Sequence, residues 1–243
     1  MNSTTFLFLS IKPTSKYNNQ RFFVSMQIEK IKFMESKPSI IYIYDALCGW
    51  CYGFSSVMKS LYSEHGSEYN FEVLSGGMVL GDRVGPISNI APFIKQAMKP
   101  VEDKTGIRFG EHFKNILNIG SYICNSELSA VAMMAFKQQL PEKAVLFSAA
   151  IQEAFYFYGE SLNDKDTYIK IAENLGADIE LFENELNNPN TLVAANKDFD
   201  MIRRWGVTAF PAVLHFDGKQ KLSMVSQGYI PKDELLKKLA EFN

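Results

Sequence analysis

Soft metal ligands are scarce in this chain. Its 243 residues hold three cysteines and three histidines: Cys48, Cys51, Cys124, His65, His112 and His215. Half of a structural zinc site is present as Cys48-x-x-Cys51, but no second Cys-x-x-Cys and no His-x(3–5)-His follows to complete it, so no metal centre is expected. An excess of one charge is missing too. Lys and Arg number 25 against 27 Asp and Glu, a net charge of −2, with the signs interspersed and no polybasic run, so neither nucleic acid nor another strongly electrostatic partner is indicated. Nothing approaches the roughly eighteen consecutive apolar residues that a transmembrane helix needs, so no membrane association is expected.

Hydrophobic content is ample, at 47% of the chain. That suffices for one large domain, or a domain with a sizeable insertion, that folds without staples. The chemistry concentrates in Ile43-Tyr44-Asp45-Ala46-Leu47-Cys48-Gly49-Trp50-Cys51-Tyr52-Gly53. Ile40 to Tyr44 reads as a buried strand, β-branched and aromatic throughout, while Phe54, Val57, Met58 and Leu61 continue at helical spacing. Cys48 is therefore expected at a helix N-terminus, where unpaired backbone N–H groups and the helix dipole favour an anion. Such positions lower a cysteine pKa from about 8.5 into the range of roughly 3.5 to 7.5, which makes the first sulfur the nucleophile. Cys51, one turn deeper, is placed to close a disulfide with it.

The stretch from Met1 to Phe33 differs in character, with Ser, Thr, Asn and Lys among isolated aromatics and no sustained period. No Lys or Arg precedes Phe6 to Leu9 and no small-residue cleavage site follows, so it does not read as a secretory signal. Lys12, Lys16 and Arg21 leave an organellar transit peptide as one reading; a disordered extension, or a start codon upstream of the true one at Met34, is the other. The expected setting is cytoplasmic and reducing, where a Cys-x-x-Cys is more often catalytic than structural.

Along the chain, Asn70 to Leu74 gives a second strand, closed by Gly76-Gly77. From about Ile87 to Trp205 only helical periodicity is found. One helix is expected over Ile90 to Glu102, and another carries Leu128, Val131, Ala132, Ala135 and Phe136, capped by Asn125 or Ser126. A third runs from Pro141 to Gly159. A fourth is capped by Asp164 and ended by Gly176, with short helices from Ile179 and Thr191. Strands return at Ala212 to Phe216 and Leu222 to Val225 around an Asp217-Gly218 hairpin turn, before a last helix from Lys232 to Phe242. Removing the helical block leaves an α/β unit with a four-stranded mixed sheet. The expected division is residues 39–80 and 190–243 in that unit, 81–189 as an inserted helical domain, and 1–38 as the extension, with substrate in the cleft between lobes.

Gly206-Val207-Thr208-Ala209-Phe210-Pro211 sets a proline directly before an apolar strand, where it reads either as an ordinary trans proline or as a special turn. Together with the Cys-x-x-Cys it resembles the thioredoxin-fold superfamily, and within that the DsbA-like oxidoreductases with a helical insertion, the FrnE-like or predicted protein-disulfide isomerase branch. The carriers are Asp45 to Gly53, Ser75-Gly76-Gly77-Met78, Thr105-Gly106-Ile107-Arg108-Phe109-Gly110, and Gly206 to Pro211, and the resemblance covers most of residues 39–243. It implies that Cys48 attacks, that Cys51 resolves, and that Pro211 is a cis-proline facing them. Gly49, Trp50 and Asp45 would support the pair. Substrate would meet Phe210, Ala209, Tyr52, Gly77 and Met78, with Phe210 offering backbone hydrogen bonds to an extended segment. The redox-active disulfide would serve in place of a cofactor. Partners would be protein or peptide thiols and disulfides, with glutathione as a co-substrate or a thioredoxin-type reductant.

The chain departs from the wider pattern at Tyr42, which stands where thioredoxins bury an acid. Asp45 is the nearest carboxylate, read either as a proton acceptor for Cys51 or as a turn aspartate. Cys124 reads as a buried small hydrophobe or as a further redox group. The three histidines show no spacing that ties them to the cysteines. The function expected is a thiol:disulfide oxidoreductase, and the alternative is a glutathione-dependent isomerase or transferase of the kappa or hydroxychromene-carboxylate isomerase type. Because residues before Met34 show neither period nor caps, deleting residues 1–33 is expected to leave Tm and activity almost unchanged. A fall of several degrees in Tm would assign part of the fold to them.

Overall fold

The computed structural model describes residues 37–242. The N-terminal extension read from the sequence therefore lies, except for Lys37 and Pro38, outside the described residues. The first strand, β1 (Ser39–Tyr44), is buried along its whole length. Its side chains alternate between two faces because successive Cβ atoms of a strand point opposite ways. Ile40, Tyr42 and Tyr44 enter the main core, while Ile41 and Ile43 enter a smaller one with Leu74, Ile202, Val207 and Leu214. That double burial explains why the strand reads as an unbroken apolar run.

Helix α1 (Gly49–His65) follows, laying Cys51, Phe54, Val57, Met58 and Leu61 against the main core. The chain then returns through β2 (Asn70–Ser75), parallel to β1 with Tyr44 opposite Ser75. The other two strands, β5 (Ala212–Phe216) and β6 (Leu222–Gln227), complete a mixed sheet of order β2-β1-β5-β6, with both new pairings antiparallel. Helix α9 (Lys232–Ala240) closes the chain and buries Leu235 and Leu239.

Between β2 and β5 lie two short strands, β3 (Gly85–Pro86) and β4 (Ile123–Cys124), and seven helices. These are α2 (Ala91–Thr105), α3 (Glu111–Ile119), α4 (Glu127–Lys137), α5 (Ala144–Tyr156), α6 (Lys165–Asn174), α7 (Ile179–Leu186) and α8 (Pro189–Arg204). Their core residues, including Phe113, Phe136, Phe147 and Phe155, belong to the same contiguous core as Tyr42 and Phe54 of the sheet unit. Helix α4 is also tied to the edge strand, because Lys137 Nζ donates to Glu72 Oε1 at 2.8 Å and to the Val73 carbonyl at 2.7 Å.

The structure corrects the sequence reading in three places. A strand does occur between Ile87 and Trp205: Ile123–Cys124 pairs with Gly85–Pro86, too short for a two-residue period to show. Helix α3 was not expected. Its sequence does carry the spacing, with Phe113 and Leu117 buried in the core and Ile116 packed against it. The β5–β6 connection is a longer loop rather than a two-residue turn, because the Asp217 carboxylate accepts from the N–H groups of Lys219, Gln220 and Lys221 at 2.9 to 3.0 Å. Of the two cap candidates at the start of α4, Asn125 takes the role, its Oδ1 accepting the Glu127 N–H at 2.9 Å, while the Ser126 hydroxyl is committed elsewhere.

Phe147 lies at the centre of the shared core, its ring 4.1 Å from Phe136 and nearly parallel to it. Phe147→Ala is expected to lower unfolding free energy by about 3–5 kcal/mol in urea titration. Because one core spans sheet and helices, far- and near-UV signals should move together in that titration, and separated transitions would mark two cooperative units.

Candidate active site

Where β1 ends, its chain does not run straight into α1. Asp45, only 1% exposed, folds its carboxylate back onto the turn, and Oδ1 accepts the Leu47 N–H at 2.9 Å. Two further donors reach it from distant segments. Met78 N–H donates to Oδ2 at 2.7 Å, and Ser126 Oγ donates to Oδ1 at 3.0 Å. Ser126 Oγ in turn accepts the Val79 N–H at 3.1 Å, so the cap of α4 is left to Asn125. Burial pushes the Asp45 carboxyl above its usual range, against the opposing pull of those three hydrogen bonds and the charge of Arg83. The main chain of Asp45 is engaged as well: its carbonyl accepts the Cys48 N–H at 3.1 Å and Gln152 Nε2 at 3.3 Å.

Cys48 is the N-cap residue of α1, in extended conformation. Its sulfur accepts the Cys51 N–H at 3.3 Å, one of the donors that a helix leaves unpaired at its start. The same sulfur lies 3.6 Å from the Phe210 carbonyl, to which the thiol donates. Cys48 keeps 7% exposure and Cys51 has none, and both are free thiols. Burial and the neighbouring Cys48 push the Cys51 thiol well up, while a hydrogen bond from the Asp45 backbone pulls the other way. The pair thus divides into an outer sulfur held among backbone dipoles and an inner one shut away from solvent.

The Phe210–Pro211 peptide bond is cis, and Pro211 leads into β5 from Phe210, whose carbonyl faces the Cys48 sulfur. Around it, Thr208 and Ala209 donate their N–H groups to Gln227 Oε1 at 2.9 and 3.3 Å, and Gly228 N–H donates to the Pro211 carbonyl at 2.7 Å. The Phe210 ring lies over Gly76, where a Cβ would come within 2.3 Å of it. Glycine is required there by close approach. At Gly77 φ is +65°, and a Cβ would meet Leu80 and Phe199; its carbonyl accepts Arg83 Nη2 at 3.2 Å.

The remaining candidates divide between rim and wall. Trp50 packs against Tyr229, ring centroids 6.0 Å apart, and Tyr229 also lies 5.9 Å from Phe54. Gly49 adjoins Phe109, whose ring would be 3.6 Å from a Cβ. Tyr52 is buried, stacked on Tyr156 at 5.1 Å with its hydroxyl donating to the Arg108 carbonyl at 3.1 Å. It forms part of the wall against the helices. Burial pushes its hydroxyl up to about 12. Cys124, pushed up to about 11 by burial and then by the Asp45 charge, is a buried thiol beside this network. His65 pairs with Glu68 at 3.1 Å, and His215 stacks on Phe242, neither near the sulfurs. Among the described residues, no three His, Cys, Asp or Glu side chains converge as a metal site, and no helix is long and apolar enough to cross a membrane.

Ser126, Gln152, Arg83 and Tyr229 were not singled out from the sequence as site residues. No local pattern marks them, since each joins the site only through contacts between distant segments.

The fold has counterparts among known proteins. A protein of Nitrosomonas europaea described as a "putative protein disulfide isomerase" superposes with a TM-score of 0.76 at 26% identity, covering 85% of this chain and 98% of that one. The cytosolic disulfide reductase DsbM of Pseudomonas aeruginosa, also solved with GSH, shares the fold at a TM-score of 0.68 and 22% identity, over 84% of this chain and 98% of that one. The ClpXP adapter protein SpxH of Halalkalibacterium halodurans is 21% identical over 76% of this chain and 61% of its own length, so the chain spans about six tenths of the curated relative it matches. Residues 39–240 match the DSBA-like thioredoxin domain, a span that takes in the whole sheet, both cysteines and the proline loop, and the chain belongs to that family.

Proposed function

We propose that this protein is a thiol:disulfide oxidoreductase acting through Cys48 and Cys51. The observation that carries the reading is the asymmetry of the pair. One sulfur lies at a helix start between a backbone N–H and the Phe210 carbonyl, and the other is enclosed one turn deeper. Cys48 attacks a substrate disulfide and forms a mixed disulfide. Cys51 then attacks Cys48, the pair closes, and the substrate leaves as a thiol. In the oxidising direction the same steps run backwards. Pro211 and the Phe210 carbonyl line the approach to Cys48; Ala209, Gly77 and Met78 flank it, while Trp50 and Gly49 form its rim.

Substrates in this reading are protein or peptide thiols and disulfides. Glutathione enters as co-substrate, an assignment supported by the fold shared with DsbM, which has been solved with GSH. The glutathione-dependent isomerase alternative uses a single sulfur or a serine, and two cysteines at this junction favour the oxidoreductase. Insulin reduction and refolding of reduced RNase, run beside a glutathione-conjugation assay, separate the two.

Alkylation of the reduced protein near pH 7 is expected to label Cys48 well before Cys51, read by mass spectrometry of peptides. Cys51→Ser should trap mixed disulfides on Cys48, whereas Cys48→Ser should trap none; faster labelling of Cys51, or equal trapping, would reverse the assignment. Gly76→Ala forces the Phe210 ring off its seat and with it the carbonyl that faces Cys48. Its insulin-reduction rate should fall by about tenfold and its Tm by several degrees, the scale of other overpacking substitutions. An unchanged rate would detach Phe210 from the chemistry.

A further inference from the structure

A substrate disulfide reaches Cys48 beside a stretch of chain that belongs to no ladder. Pairing of β5 with β1 and β6 begins at Ala212. Upstream, the chain is anchored by the buried side chain of Val207 in the smaller core. Between Val207 and the buried Pro211, Thr208 and Ala209 are exposed and Phe210 is half-buried. Among the described residues no main-chain carbonyl accepts from the N–H of Thr208 or Ala209, yet the Phe210 carbonyl stands 3.6 Å from the Cys48 sulfur. Its place has to be fixed from elsewhere.

One side chain does much of that fixing. Gln227 is the last residue of β6, paired with Ala212 across the sheet, and it is exposed. An exposed glutamine ordinarily keeps its rotamer freedom. Here its Oε1 accepts the Thr208 N–H at 2.9 Å, the Ala209 N–H at 3.3 Å and the Thr208 hydroxyl at 3.4 Å. Two main-chain donors also decide which end of the amide faces the loop, since only its oxygen can accept. The next residue secures the other side, where the Gly228 N–H donates to the Pro211 carbonyl at 2.7 Å. Gln227 and Gly228 therefore grip the chain immediately before and after Phe210, while the Phe210 ring is seated over Gly76.

We propose that Gln227 is a positioning residue that sets the Phe210 main chain for extended polypeptide substrates, and so decides how well the site handles a peptide disulfide relative to a small one. The inference rests on the oxidoreductase reading above. A peptide whose sulfur reaches Cys48 runs past Phe210, and main chain outside the ladders of a sheet is what an added strand pairs with. A backbone already held in place loses less freedom when that strand docks, which favours binding. A small disulfide that touches only the sulfur gains nothing from the brace. In the reaction the Cys48 thiolate bonds to one substrate sulfur, and the electron pair of the broken S–S bond leaves with the other. Gln227 takes and gives no proton; it acts only through Thr208, Ala209 and Phe210.

The test uses the reduced full-length chain and two oxidants that share a leaving group. One is 5,5′-dithiobis(2-nitrobenzoate); the other is an uncharged, unstructured peptide whose single central cysteine carries thionitrobenzoate through a disulfide. Attack by Cys48 releases thionitrobenzoate from either, and the first phase in stopped flow near pH 7 gives a second-order rate constant for each, with Cys48→Ser as the blank. Gln227→Met keeps the length of the side chain and removes the acceptor. It should lower the rate constant for the peptide about fivefold and leave that for the small disulfide within about twofold of wild type. Gln227→Glu keeps an acceptor oxygen, and should hold the peptide rate within about twofold of wild type. An unchanged peptide rate in Gln227→Met would overturn the proposal. Equal slowing with both oxidants, or a Gln227→Glu variant as slow as Gln227→Met, would overturn it in favour of a packing role, with Tm measured alongside. If wild type releases no thionitrobenzoate from either oxidant, the oxidoreductase reading itself fails and this proposal goes with it.

Discussion

The buried Asp45 carboxylate is the constraint on which the site depends. A carboxylate enclosed by protein must collect donors, and this one draws them from Leu47, Met78 and Ser126, at sequence separations of 2, 33 and 81 residues. Satisfying one side chain thereby fixes three segments together: the turn into α1, the glycine loop after β2, and the start of α4. The arrangement is not a stability device. Burial outweighs the three donors and Arg83, so the folded state holds the Asp45 proton more tightly than the unfolded chain does. Its favourable contribution is therefore full below the unfolded carboxyl pKa and is lost as pH rises through the folded one. What burying the group costs is exchanged for position, since the Asp45 carbonyl accepts the Cys48 N–H and the Asp45 backbone serves Cys51.

Upon that anchor the reactive sulfur is set by parts from opposite ends of the chain. Cys48 takes its donor from its own helix and its acceptor from Phe210, a separation of 162 residues. The Phe210 ring fits only because Gly76 has no side chain, and Gly76 is held because Met78, two residues on, is tied to Asp45. A displacement at any of these points is felt at the sulfur. The helices between β2 and β5 share one hydrophobic core with the sheet, so they contribute to the rigidity of the site as well as to its walls.

Much of this was legible from local pattern. The apolar run before Cys48, the helical spacing after it, the proline before β5 and the cap at Asp164 are each decided within a few residues, and the structure places each of those elements where its pattern lies. Illegible were the features settled by long-range contact. Ser126 carries a cap signature, but a buried carboxylate competes for its hydroxyl and wins, as a charge-assisted bond outweighs one to a neutral amide. The short ladder of Gly85 with Cys124 leaves no period.

The polar partners of the outer sulfur are main-chain groups, the Cys51 N–H and the Phe210 carbonyl. Main-chain dipoles do not titrate, so the response of the pair to pH has to arise from the sulfurs themselves and from the buried groups beneath them, Asp45 foremost. The Gly49-Trp50 dipeptide enters differently. Trp50 leans on Tyr229 and Gly49 adjoins Phe109, contacts that shape the opening and keep water from the inner cysteine. In a site walled by Tyr52, Phe109 and Tyr156, with ring centroids 5.1 to 5.6 Å apart, the local polarity is low and each hydrogen bond to sulfur weighs more than it would in water. The balance between thiol and disulfide is then governed by a handful of donors and by how firmly they are held. That firmness is what the Asp45 network, at its cost in stability, supplies.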